Sequence, residues 1–377
     1  MIQMSDRSNL KFLDGLRGIA AFYVVVGHAR WLLWEGFVSF RSHPQGYSMP
    51  EKLLVYTLSL FRYGHEAVLF FFVLSGFVIH LRYAHSLKAH AEKVTFDWFP
   101  FLWRRMKRLY PPLLCALALT FALDSFGKHL GYSIYEHGTV YPLINESIAS
   151  QLDVRTLWGN LAFLMRTYVP VFGCNGPLWS LKFEWWFYMF YPIFWLVTRK
   201  SITLATLLMV LLFGASFLPN WPMLLLRDVF SAMLTWWLGV ILADIYSGRI
   251  NGKWSVFSLV SISLGVAGLC FFPVIHDLAM ATFFTGTIAG CFALAENGFN
   301  LSLLKKLKPL GDMSYSLYVT HFPVLVLLSG YLMSRSKNSA LPPHFGWVFL
   351  GIFITLALAF AVHLVAERPF TRRAQYV

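Results

Sequence analysis

Ten stretches of the chain stay apolar for close to the roughly 20 residues that a helix needs to cross about 30 Å of hydrocarbon. They fall at residues 16–34, 66–82, 109–126, 178–198, 202–218, 229–246, 255–275, 278–295, 313–333 and 346–366. An eleventh stretch, 157–172, is apolar but short and interrupted by Arg166, so it reads as interfacial or re-entrant. The pattern predicts an all-α fold: a polytopic membrane helix bundle of about ten transmembrane helices. The connection at about 127–177 holds Glu136, Glu146, Asp153 and paired Gly/Pro turns. It is too long for an ordinary linker, and loops of that length are functional or disordered. With no second domain legible after the tenth stretch, residues 1–377 are expected to form one membrane domain.

Composition agrees. Hydrophobic residues make up 57% of the 377 and charged residues 13%, and the mean hydropathy is +0.59, values foreign to a soluble fold of this size. The net charge of +13 could suggest nucleic acid. Its distribution argues otherwise: 20 of the 31 Lys and Arg fall in the termini and short loops that face one side if the amino terminus is inside. The positive-inside rule then puts both termini in the cytoplasm and the 127–177 loop outside. The start MIQMSDRSNLKF lacks a small-residue cleavage site, so the first apolar stretch is expected to be retained. Cys115, Cys174, Cys270 and Cys291 have no CxxC spacing, which argues against a disulfide framework or thiolate metal site. No internal repeat, GxxxxGK[ST] or HExxH is present.

Polar residues inside the apolar stretches are the candidate chemistry. The first stretch, KFLDGLRGIAAFYVVVGHARWLLW, places Asp14, Arg17 and His28 on one side of a helix, with Arg17 and His28 about 16 Å apart along its axis. Ionisable groups within a span face a bundle interior or a wet cavity more often than lipid. A blander arrangement, with Asp14 and Arg17 paired at the interface and His28 bonded to a carbonyl, stays open. The loop before the third stretch ends in WRRMKRLYPP, read as a helix start capped off by Pro111 and Pro112, where Arg105 and Arg108 stand three apart and could hold phosphate oxygens bidentately. Membrane anchoring would explain the same charge. The fourth stretch sets Lys182 and Glu184 among Trp179, Trp185, Trp186, Phe187 and Tyr188; an aromatic belt accounts for the rings but not for Glu184. In the ninth, Tyr315 and His321 stand out from the self-satisfying Ser and Thr around them. His80, His85 and His90 do not share a helical face and carry no metal signal.

These pieces resemble the acyltransferase-3 family of integral membrane acyltransferases. The matching segments are LDGLRGIAAFYVVVGH, FFFVLSGFVI at 70–79, WRRMKR, PLWSLKFEWWFY, SYSLYVTH and AERPF at 366–370, in the family's order across nearly the whole chain. The resemblance implies transfer of an acyl group, usually acetyl from acetyl-CoA, onto hydroxyls of cell-surface carbohydrates. It also implies residence in the bacterial inner membrane and no metal. Arg17 and His28 match the family's Arg–x10–His pair, Arg105 and Arg108 its Arg–x–x–Arg pair, and Glu184 its fourth-span acid. Two departures stand out. Ala67-Val68-Leu69 replaces a common Gly-Val-Asp, so an acid there is lost or moved to Glu66. The extracytoplasmic esterase-like domain fused to some members is not seen, which would require another acceptor or a separate partner.

Acyl transfer to an alcohol needs a base, a hold on the anionic donor and hydrogen bonds to the developing oxyanion. His28, as a neutral imidazole, is expected to be the base, with a transient acyl-histidine as the variant. Arg17, Asp14 and Glu184 join it in the catalytic set, Arg17 guiding the donor arm or polarising the thioester carbonyl and Glu184 orienting the acceptor or a water chain. Arg105, Arg108, Arg17, Tyr315 and His321 are expected to hold the acyl-CoA co-substrate. The rival reading is a transporter or flippase for a lipid-linked sugar, with Asp14, Arg17, Glu184 and His28 lining a pathway. It predicts inverted repeats, and none is visible.

Overall fold

In the computed structural model the described residues are 10–90, 94–336 and 339–371. Lys93 and the basic residues before position 10 and after position 371, which entered the count of loop charge, lie outside them. The fold is 80% helical, and the described residues hold no strand, only isolated bridges between Gln151 and Phe172 and between Met165 and Val169.

Each of the ten apolar stretches is a helix. They are α1 (Lys11–Leu33), α2 (Gly64–His90), α3 (Trp98–His129), α4 (Trp179–Lys200), α5 (Ile202–Ala215), α6 (Leu224–Tyr246), α7 (Trp254–Phe271), α8 (His276–Glu296), α9 (Ser314–Arg335) and α10 (Gly346–Val362). Eight of them are long and apolar enough to cross a membrane. The other two are α4, loaded with Trp, Tyr, Lys182 and Glu184, and the 14-residue α5. The third helix departs from expectation. It begins eleven residues before Leu109 and runs unbroken through Pro111 and Pro112, where a helix start capped by those prolines was read. Two prolines without N–H groups leave the carbonyls of Lys107 and Arg108 without their usual donors, a cost that a long helix with packed flanks tolerates.

The described chain divides into two compact units. One is built from the chain up to Ala20, His65–Leu102 and Leu181–Pro309; the other from Ala21–Gly64, Trp103–Ser180 and Leu310 onward. In the first, a core of Phe12, Phe70, Val73, Phe77, Leu242 and Phe292 joins α1, α2, α6 and α8. Gly76 and Gly239 let α2 and α6 touch backbone to backbone: a Cβ on Gly76 would stand 2.1 Å from the Trp236 carbonyl oxygen, and one on Gly239 2.0 Å from that of Val73. Such close approach requires residues without side chains.

In the second unit α9 is the central element, buried along nearly its whole length. The stretch at 157–172 holds a short helix, Val154–Leu161, and then irregular backbone with Phe163 and Arg166 at positive φ. The long 127–177 connection is ordered by polar clamps. The Asp124 carboxylate accepts from the Ser150 hydroxyl (2.6 Å) and the Cys174 N–H (2.7 Å), and Lys128 donates to the Ser150 carbonyl (2.6 Å). Asn160 bridges the Pro170 carbonyl and the Phe172 N–H (2.8 and 3.0 Å). Each clamp satisfies a backbone group that a buried loop would otherwise leave unpaired.

Candidate active site

The second unit gathers five of the sequence-predicted residues: His28, Arg105, Arg108, Tyr315 and His321. Helix α9 organises them. At its start the Tyr315 hydroxyl donates to the Leu109 carbonyl on α3 (3.0 Å), one residue past Arg108. Higher up, the buried Asn175 amide donates to Thr120 of α3 (3.2 Å) and to the Val319 carbonyl of α9 (2.9 Å), so the two helices rise in the same sense. The Tyr318 hydroxyl meets the Pro177 carbonyl and the Ser180 hydroxyl, both at 2.8 Å, and ties the segment leading into α4 to the same face.

His321 lies one turn above Leu317 and is wholly buried. Its Nδ1 is 3.0 Å from the Leu317 carbonyl oxygen, and its Nε2 is 2.8 Å from Nδ1 of His28 on α1. The two imidazole planes are within 7° of parallel. With so short a nitrogen–nitrogen contact, they meet edge to edge rather than face to face. Phe322 closes edge-on against His28 with centroids 5.0 Å apart, and Trp31 stands 6.2 Å away. His28 is only half-buried, and its Nε2 has no partner among the described residues. The pair is therefore a closed imidazole behind a partly open one.

Arg105 and Arg108 are half-buried on one face of α3. Tyr315 marks their level on α9: His321 is six residues beyond it, about 9 Å of helix, while Arg105 is four residues before Leu109, about 6 Å. An extended arm of about 15 Å would span the interval between guanidinium groups and imidazoles.

The family model described as an acyltransferase domain, that of acyltransferase family 3, matches residues 10–364. The chain belongs to the acyltransferase-3 family. Its curated relatives include a peptidoglycan O-acetyltransferase, OatA, of Listeria monocytogenes, 25% identical over 365 residues covering 88% of this chain and 52% of the relative. A putative peptidoglycan O-acetyltransferase, YrhL, of Bacillus subtilis is 24% identical, covering 81% and 50%. An O-acetyltransferase, OatA, of Staphylococcus aureus is 24% identical, covering 85% and 51%. The chain spans about half the length of these relatives. No solved structure matches it.

The remaining predicted site residues of this acyltransferase-3 chain, Asp14, Arg17 and Glu184, lie in the first unit. Arg17 pairs with Asp14 at 3.3 Å, both partly exposed. Glu184 accepts a hydrogen bond from Tyr188 one turn along α4, and the Tyr188 hydroxyl lies 3.3 Å from that of Ser75. Lys182, buried, forms an ion pair with Asp228 at 2.8 Å.

The same unit holds a network that sequence reasoning passed over. His80, wholly buried, meets the Tyr191 hydroxyl through Nδ1 (2.8 Å) and the buried Asp244 carboxylate through Nε2 (3.0 Å). Arg249 pairs with that carboxylate at 3.2 Å and also donates to the Thr198 carbonyl. The available signal was Asp244, an acid inside an apolar stretch. Among the described residues no group of three or more His, Cys, Asp or Glu is placed to hold a metal ion. Burial and the neighbouring Asp124 push the Cys174 thiol well above its usual range, which favours the protonated thiol.

Proposed function

We propose that this chain is a membrane O-acyltransferase that moves an acetyl group from acetyl-CoA, held from the cytoplasmic side, to a hydroxyl of a cell-surface carbohydrate at the bacterial inner membrane. The observation that carries the reading is the His28–His321 pair, open on the His28 side, in the same unit as Arg105 and Arg108. Family membership supports the reaction class, and the likeness to peptidoglycan O-acetyltransferases supports a peptidoglycan sugar as acceptor.

In this reading His28 removes the proton from the acceptor hydroxyl as its oxygen attacks the thioester carbonyl. The carbon–oxygen bond forms, the carbon–sulfur bond breaks, and the proton passes to the departing CoA thiolate. Arg105 and Arg108 grip the donor's phosphates with their forked guanidinium groups. Tyr315 fixes α9 at their level.

The test is incubation of the purified full chain in vesicles with radiolabelled acetyl-CoA and glycan strands. Alkali-labile label on the glycan supports the transferase. Intact thioester together with sugar flux across the vesicle would replace it with the transporter.

A further inference from the structure

The two nitrogens of His321 are spoken for in a way that leaves His28 one arrangement. A carbonyl oxygen only accepts, so the His321 Nδ1 that lies 3.0 Å from the Leu317 oxygen carries the hydrogen. A neutral imidazole has one N–H, and its Nε2 then presents a lone pair to His28 at 2.8 Å. His28 must therefore donate from Nδ1, and its own lone pair sits on Nε2. The opposite assignment would set the Nδ1 lone pair of His321 against the Leu317 oxygen.

Resting on the transferase reading above, we propose that His321 is a positioning residue rather than part of the donor site: through its hydrogen bond it selects the tautomer of His28 and makes Nε2 the atom that takes the acceptor proton. The chain of contacts ends on a backbone carbonyl, and among the described residues no carboxylate is hydrogen-bonded to either ring. A cation formed on His28 has no counter-charge to hold it, so the proton moves on to the thiolate within one ternary complex.

Two measurements on the full-length protein in detergent test this. With ¹⁵N-labelled histidine, the His28 signal should report N–H at Nδ1 and a lone pair at Nε2 in the wild type. It should revert to the commoner Nε2–H form in His321→Leu. A wild-type signal showing Nε2–H overturns the proposal whatever the activity, while the expected tautomer in a protein that transfers no acetyl would defeat the transferase reading instead. In steady-state assays, His321→Gln, whose side-chain oxygen reaches the place of Nε2, should keep kcat within about tenfold. His321→Asn, which reaches only Leu317, and His321→Leu should lose about 100-fold, with KM for acetyl-CoA unchanged in all three. Equal kcat in the Gln and Asn variants, or a loss confined to KM, would contradict it.

Discussion

Two imidazole centres among the described residues differ in what their nitrogens meet. In the first unit both nitrogens of His80 are occupied, one by Tyr191 and one by Asp244, and Arg249 balances the carboxylate behind it. Nothing is left over for a substrate. In the second unit His321 is equally closed, but it passes its hydrogen bond to His28, which keeps one nitrogen free on a half-buried ring. A saturated histidine holds helices together; one with a fixed donor behind it and an open lone pair in front can move a proton. On the proposed reading, saturation, rather than depth in the apolar stretch, separates a histidine that only holds helices from the one that takes the acceptor proton.

Substitutions can break that contrast. The largest effect on turnover is expected at His28: His28→Ala should lower kcat by about 10²- to 10⁴-fold, measured as acetyl ester formed per folded molecule. Changing Arg105 and Arg108 together to Lys keeps charge and removes the forks, so KM for acetyl-CoA should rise about tenfold with kcat held. Unchanged KM would return the pair to membrane anchoring. His80→Leu should behave oppositely to His28→Ala. It strips partners from Asp244 and Tyr191 and should lower stability by about 1–3 kcal/mol, read as an earlier thermal midpoint in detergent, while turnover per folded molecule stays.

The smallest effect is expected at Glu51, partly exposed at the start of the short helix Met49–Ser59, where Ser48 and His344 hold its carboxyl down to about 2. Its folded value lies below the unfolded one of 4.5, so its contribution is present above pH 4.5 and fades as the pH falls toward 2. Glu51→Gln should cause a slight loss of thermal midpoint at pH 7 that vanishes near pH 2.

The helices were legible because an apolar run of spanning length admits few other structures, and all ten were found with ends within about five residues, except that α2 continues past 82 to His90 and α3 begins at Trp98 and runs through Pro111 and Pro112. His28 and Glu184 were legible as charges or imidazoles that a span does not carry without cause. The partners of His28 and of His80 were not. His28 and His321 are separated by 293 residues, and His80 and Asp244 by 164, so no local spacing encodes either contact. The order in the 127–177 connection was hidden for the same reason: Asp124 and Asn175 clamp groups that only the packed helices bring near.

Chemical modification with diethyl pyrocarbonate, which acylates accessible neutral imidazole nitrogens, reads the contrast directly when sites are mapped by mass spectrometry in membranes. Activity should fall in step with modification of His28 and be protected by acetyl-CoA, while His80 and His321 stay unmodified. Full modification of His28 with transfer intact, or labelling of His80 ahead of it, would contradict the assignment of the base.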